Sequence, residues 1–204
     1  MRLLSIIVAA LALASPVAAQ SRAVAVTFDD LPYQAPAAVL CDPEAAMALT
    51  EAFVGMLAPL ETRGTAFVNE GKVCEAQRAI LLPQILNAWL DAGLGLGNHT
   101  FSHINIHRNT VEAYLADVDA GAPVTRSVLE ARGRELAWFR HPYLFTGETA
   151  EKKAGVAAGL AERGYRIAPV TIDNNDWMFG AIYRQAEAAG DTALMARIGE
   201  AYVA

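Results

Sequence analysis

The chain has 204 residues, enough for one domain with a sizeable core. Its 16 basic and 22 acidic residues give a formal charge of −6 with no Lys/Arg block, which argues against nucleic acid as a partner and leaves a neutral glycan unrepelled. Apolar residues make up 54 %, a figure swollen by alanine and by an apolar start.

That start has the layout of a secretory signal peptide: Met1-Arg2 is basic, Leu3 to Ala14 is apolar, and Pro16-Val17-Ala18-Ala19 is a small-residue cleavage region. Cleavage after Ala19 is expected, with the product secreted or periplasmic and holding no membrane span. Taking 19 residues off 204 leaves 185, and losing Arg2 moves the formal charge from −6 to −7. Val24 to Phe28 predicts a first strand, ending in Asp29-Asp30. Side chains on a strand alternate, so one carboxylate can reach a metal while its neighbour faces a substrate; a turn or a helix cap is the plainer reading. Leu31 to Leu40 reads as a Pro-rich loop. Asp42 and Pro43 look like an N-cap and first helical residue, opening a helix through Met47, Phe53, Val54, Leu57 and Leu60 that Gly64 ends. Thr65 to Asn69 is a second strand. Cys41 and Cys74, an even pair in an exported chain, predict a disulfide between the loops after these two strands. Pro83 begins or kinks the next helix, whose apolar face includes Ile85, Leu86, Trp89 and Leu90, and Gly93 stops it.

Leu94 to Gly97 reads as a third strand delivering His99 and His103. Two imidazoles four residues apart converge on one cation if the chain turns back between them; alone, the pair fits a polar surface loop equally well. A carboxylate from Asp29-Asp30 would complete a set that leaves positions open for water and substrate. His107 reads as a loop histidine. A helical stretch from Val111 to Val118 breaks near Pro123 and resumes to Gly133; Leu136 to Phe139 is a fourth strand presenting Arg140. Gly147 to Arg163 is helical with Gly164 as its cap. Arg166 to Ile172 is a fifth strand, in which Pro169 argues against a central position. Gly180 to Ala204 reads as one amphipathic helix. Strands alternating with helices predict an α/β fold with a parallel sheet and its chemistry at the carboxyl ends of the strands.

Four segments in order resemble the motifs of the polysaccharide deacetylases, the NodB-like carbohydrate esterases: Thr27-Phe28-Asp29-Asp30, His99-Thr100-Phe101-Ser102-His103, Arg140-His141-Pro142-Tyr143, and Asp173 to Trp177. The resemblance spans roughly residues 22 to 180 and implies an irregular (β/α) barrel. It implies a divalent metal, zinc being the expected ion, on Asp30, His99 and His103, with Asp29 as general base. Arg140 would hold Asp29 ionised, lowering its pKa. The Tyr143 backbone N–H would be the oxyanion donor, Trp177 the wall receiving the acetyl methyl, and Asp176 the partner of a general-acid histidine. The implied reaction is hydrolysis of N-acetyl groups on a glycan such as peptidoglycan or a chitin-like polymer.

Two departures stand out. Leu31-Pro32 follows the paired aspartates where the family has Gly-Pro, and no histidine follows His141, so the motif carrying the general acid is missing. The expectation is a catalytic domain over 20–204 whose barrel is incomplete at its C-terminus. A degenerate glycan-binding remnant and a hydrolase of non-sugar amides are the alternative readings.

Overall fold

Five short strands pair in parallel in the order β1 to β5: β1 Val26–Leu31, β2 Gly64–Val68, β3 Gly95–Asn98, β4 Trp138–Phe139 and β5 Arg166–Ile167. The computed structural model describes residues 23–60 and 63–204; the expected signal peptide, residues 1–19, lies outside them. Helices fill the connections: α1 Ala37–Leu40, α2 Pro43–Leu57, α3 Glu75–Asp91, α4 Val111–Ala120, α5 Pro123–Glu130, α6 Ala150–Glu162, α7 Asp176–Ala188 and α8 Thr192–Val203. Each parallel pairing needs such a crossover, and the helices bury the middle of the sheet, β2 and β3, while β5 and most of β1 stay exposed. The core gathers Leu81, Leu82, Ile85, Leu86 and Trp89 of α3 with Ala66, Val68, Leu96 and Phe139 of the sheet, and Tyr114, Leu129 and Leu160 of the later helices. The fold is thus the expected α/β arrangement, a helix-rich (β/α) barrel type with an open sheet among the described residues.

Several element boundaries differ from the sequence reading, each for a local reason. Pro59 has no N–H for the helical ladder, so α2 stops at Leu57 and passes into a 3₁₀ turn, Ala58–Leu60. Gly64 is therefore no cap; it opens β2, opposite Val26. Helix α3 begins at Glu75 and contains Pro83, whose carbonyl accepts the Asn87 side-chain N–H at 2.8 Å. Burial of Leu81, Leu82, Ile85 and Leu86 around it holds the helix through the missing bond. Strand β5 pairs only at Arg166–Ile167, since Pro169 offers the ladder nothing. The single C-terminal helix is two: Gly190 (φ 68°) turns the chain, and the Asp191 carboxylate caps α8 by accepting from Leu194 N at 2.9 Å.

Elsewhere the caps fall where the sequence puts them. The Asp42 carboxylate accepts from Glu44 N and Ala45 N with Pro43 in the first turn. Gly164 takes φ 77° after α6, whose start differs: the helix opens at Ala150 rather than Gly147, with the Thr149 hydroxyl accepting from Lys152 N. The expected disulfide joins Cys41 to Cys74 with Cα atoms 5.1 Å apart. It ties the loop after β1 to the residue that opens α3.

Candidate metal centre

The carboxylate side of the site is built on a fault in an edge strand. Phe28 sits opposite Ala66 and Leu31 opposite Val68, so Asp29 and Asp30 occupy a β-bulge. Asp30 adopts φ 68°, which a non-glycine residue holds only when its surroundings impose it. Strand alternation alone is therefore not what aims the two carboxylates; the bulge does. Asp30 Oδ1 accepts from Lys72 Nζ at 2.8 Å and lies 3.4 Å from His103 Nε2 and 4.0 Å from His99 Nε2. Its Oδ2 accepts from Gln34 Nε2 at 2.7 Å. Burial pushes the Asp30 carboxyl up, but Lys72, His103 and Gln34 together bring it below the usual carboxylate range.

The histidine side grows from a central strand. His99 continues the β3 ladder, its N–H bonded to Val68 O, while Arg140 N bonds to Asn98 O. The His99 ring donates Nδ1–H to the Arg140 carbonyl at 2.8 Å, so Nε2 is left with its lone pair facing Asp30. Burial drives the His99 pKa down to about 3 and lowers that of His103, so both rings are neutral, the form that ligates a cation. Thr100 (φ 67°) and His103 (φ 60°) make the reversal that brings the second imidazole back, with ring centres 5.0 Å apart. Gly121 permits this loop to pack close, because a Cβ there would lie 2.6 Å from Phe101 N.

Asp29 faces Arg140, whose Nη1 lies 3.0 and 3.1 Å from its two oxygens. Arg140 is only 3 % exposed. Its remaining donors reach Ala168 O at 2.8 Å and the Thr27 hydroxyl at 3.2 Å, and its carbon centre lies over the Phe67 ring. The expectation that Arg140 lowers the Asp29 pKa is reversed in the net: burial outweighs Arg140, and neighbouring Asp30 and Asp176 add to it, leaving Asp29 pushed up to about 6.

Of the remaining expected site residues, Tyr143 takes φ 58° and sets its ring edge-on against His103, 4.4 Å between centres. Asp176 opens α7 close enough for its charge to act on Asp29. Trp177, beside it, is 66 % exposed. Asp173 is a turn residue, accepting from Asn175 N at 2.9 Å. His141 points away from the site: it is buried, with Nδ1 2.9 Å from the Tyr114 hydroxyl. His107 stacks on Phe145.

Asp30, His99 and His103 bring one ligand atom each to within 4.8 Å of one another. Two neutral imidazole nitrogens and a carboxylate oxygen suit zinc or a similar divalent ion, and three protein ligands leave positions open. The donor set therefore fits a metal. Sequence reading missed the residues that hold this set in place. Asn69 Nδ2 donates to the carbonyls of His99 and Thr100, and Asn98 Nδ2 to Val118 O and the Tyr165 hydroxyl, while Thr100 N donates to Asn98 Oδ1. The signal was present: two amides closing apolar strands, where an unpartnered polar side chain is costly.

The sequence model of a family described as polysaccharide deacetylase matches residues 17–163. No curated protein is a significant match. Among solved structures, a family 4 carbohydrate esterase from Streptomyces lividans, in complex with acetate, is 22 % identical with a TM-score of 0.53, covering 79 % of this chain and 70 % of its own. A chitin deacetylase from the fungal pathogen Colletotrichum lindemuthianum is 21 % identical at 0.55, covering 76 % and 57 %. A CE4 family pseudoenzyme from Bacillus anthracis is 14 % identical at 0.51, covering 80 % and 50 %. At these identities the likeness is one of fold.

Proposed function

The chain belongs to the polysaccharide deacetylase family, and from that premise we propose that its site hydrolyses N-acetyl groups on an exported glycan, releasing acetate. The observation that carries this reading is the convergence of Asp30, His99 and His103 beside the Asp29–Arg140 pair. A divalent ion, zinc by donor type, would be held by those three residues and supply Lewis acidity and a more acidic bound water. Asp29 Oδ takes the proton from the attacking water, and its raised pKa of about 6 makes it a better base than an exposed carboxylate. Arg140 fixes the orientation of that carboxylate. The Tyr143 backbone N–H is assigned to the developing oxyanion and Trp177 to the acetyl methyl; the proton taken by Asp29 passes on to the leaving amine, and Asp176, the expected partner of a general-acid histidine, has no such histidine to orient among the described residues. Residues 1–19 as an export signal and 20–204 as the catalytic domain belong to the same reading. Its support is the disulfide, which persists in oxidising compartments, and the absence among the described residues of a helix able to cross a membrane.

A second reading, glycan binding without turnover, is favoured by one observation. Besides its two proposed ligands the chain has two histidines, His141 packed against Tyr114 and His107 stacked on Phe145, so no histidine stands ready to protonate the leaving amine among the described residues. Acetate release from a chitin oligomer and from acetylated peptidoglycan, with zinc present, separates the two. The hydrolase reading expects turnover that falls about 10²–10⁴-fold in Asp29→Asn and zinc binding that disappears in His99→Ala. Glycan binding by the zinc-loaded chain without any acetate would select the second.

A further inference from the structure

The Lys72 ammonium sits on the very oxygen that a metal needs. Nζ is 2.8 Å from Asp30 Oδ1, the oxygen that faces His103 Nε2 at 3.4 Å and His99 Nε2 at 4.0 Å. It also donates to the main-chain carbonyl of Asp30 at 3.1 Å. The contact is no chance meeting of two surface side chains, since Lys72 is 19 % exposed and the turn that carries it, Glu70–Lys72, is fastened on every side. Its buried Glu70 carboxylate accepts from Val124 N, Thr125 N and the Thr125 hydroxyl at the start of α5. Gly71 N donates to Phe101 O inside the histidine loop, at 3.0 Å, and a Cβ on Gly71 would lie 2.6 Å from that oxygen. The fold therefore sets Lys72 against Asp30.

We propose that Lys72 is a resident counter-cation for Asp30, neutralising the carboxylate when no metal is present and competing with a divalent ion for the same oxygen, so that it sets the metal affinity of this chain. This rests on the proposed metal site and concerns a residue outside the three ligands. A divalent ion and an ammonium on one carboxylate oxygen repel one another in a partly buried site, where screening is weak. Lysine suits the placeholder part: its compact charge rides on a flexible four-carbon stem. On metal binding Nζ swings off Oδ1 and keeps its bond to the Asp30 carbonyl. An arginine in its place would grip the carboxylate through a rigid fork and release it less readily.

The experiment is zinc affinity by competition with a chromophoric chelator, with melting in excess chelator as a second readout. Three full chains are compared: wild type, Lys72→Met and Lys72→Arg. Methionine keeps the stem's bulk and removes the charge. Lys72→Met is expected to bind zinc about tenfold or more tightly, a gain of roughly 1.4 kcal/mol, and to melt lower than wild type in chelator. Lys72→Arg is expected to bind more weakly. If Lys72→Met binds zinc as wild type does, or less tightly, the competition is wrong while the metal site stands. Zinc binding by Lys72→Met alone would show that the lysine keeps the ion out. Failure of all three to bind, in chains that melt cooperatively, would overturn both this proposal and the hydrolase reading. Should Lys72→Met fail to fold, Lys72→Gln replaces it, judged by the same affinities.

Discussion

The two sides of the site are held by different means. On the histidine side, His99 is fixed by a backbone carbonyl, and the loop to His103 by the buried amides of Asn69 and Asn98, all at the carboxyl ends of central strands. On the carboxylate side, Asp30 stands on the bulge of an edge strand, and its side-chain hydrogen bonds come from the long side chains of Lys72 and Gln34. A covalent tie replaces burial there: Cys41–Cys74 links the loop after β1 to the start of α3, two residues beyond Lys72. The difference teaches that preorganisation need not be symmetric. Rigid imidazoles would define where a cation sits, while the Asp30 carboxylate that would meet it can exchange partners.

The largest test breaks the tie. Removing a bridge that closes a 33-residue separation costs roughly 3–4 kcal/mol in the chain-entropy model. Cys41→Ser with Cys74→Ser should lower the denaturation free energy by about that amount. The loss should weaken zinc binding in the still-folded protein through Asp30 while leaving the His99–Arg140 carbonyl bond in place. A double variant as stable as wild type in chemical denaturation, with unchanged zinc affinity, would mean the carboxylate side needs no staple.

The buried core next to the site has a different weakness, because His141 must be neutral there. Burial, with the adjacent Arg140 charge, depresses the His141 pKa to about 4 from an ordinary value of about 6.5. The unfolded chain therefore binds the extra proton first. Stability from this group is complete above about pH 6.5 and lost as pH falls toward 4, amounting to roughly 3 kcal/mol at 1.36 kcal/mol per pKa unit. His141→Asn keeps an acceptor near Nδ1 for the Tyr114 hydroxyl but does not titrate. Measured in chelator, its stability should decline less steeply than wild type between pH 6.5 and 4. Parallel curves would place the acid sensitivity elsewhere.

How much of this could be read from the chain follows the same division. The candidate ligands Asp30, His99 and His103, with Asp29 beside them, were legible because such chemistry calls for these residue types at short spacing. A parallel sheet was legible from alternating elements, since parallel neighbours require crossovers. The bulge was not, because nothing in Val-Thr-Phe-Asp-Asp-Leu marks the extra residue until β2 lies beside it. Lys72 was passed over for a related reason: its partner is 42 positions away, and a lysine in a polar turn is ordinarily a solvated one. The net shift at Asp29 was misread because a charge partner can be guessed from a motif, whereas the depth of burial that outweighs it cannot. The C-terminal stretch reads as one helix because its apolar positions run past Gly190, whereas the turn at Gly190 and the cap at Asp191 divide it.

The smallest predicted effect concerns Gln34, and it sharpens the comparison most cleanly. Gln34, in the loop after β1, donates to Asp30 Oδ2 at 2.7 Å from an exposed position four residues on. An exposed hydrogen bond exchanges readily with water, so its net contribution is at the low end of about 0.5–1.5 kcal/mol. Oδ2 is also the oxygen that does not face the imidazoles. Removing Gln34 should therefore leave Oδ1 where it is and let water take the vacated place. Gln34→Ala is expected to change stability by less than about 1 kcal/mol and zinc affinity by less than about threefold. Chelator competition on this variant alone is enough to check it. A loss of zinc affinity beyond tenfold would show that Gln34 fixes the carboxylate as firmly as the Arg140 carbonyl fixes His99, and the asymmetry between the two sides would be gone.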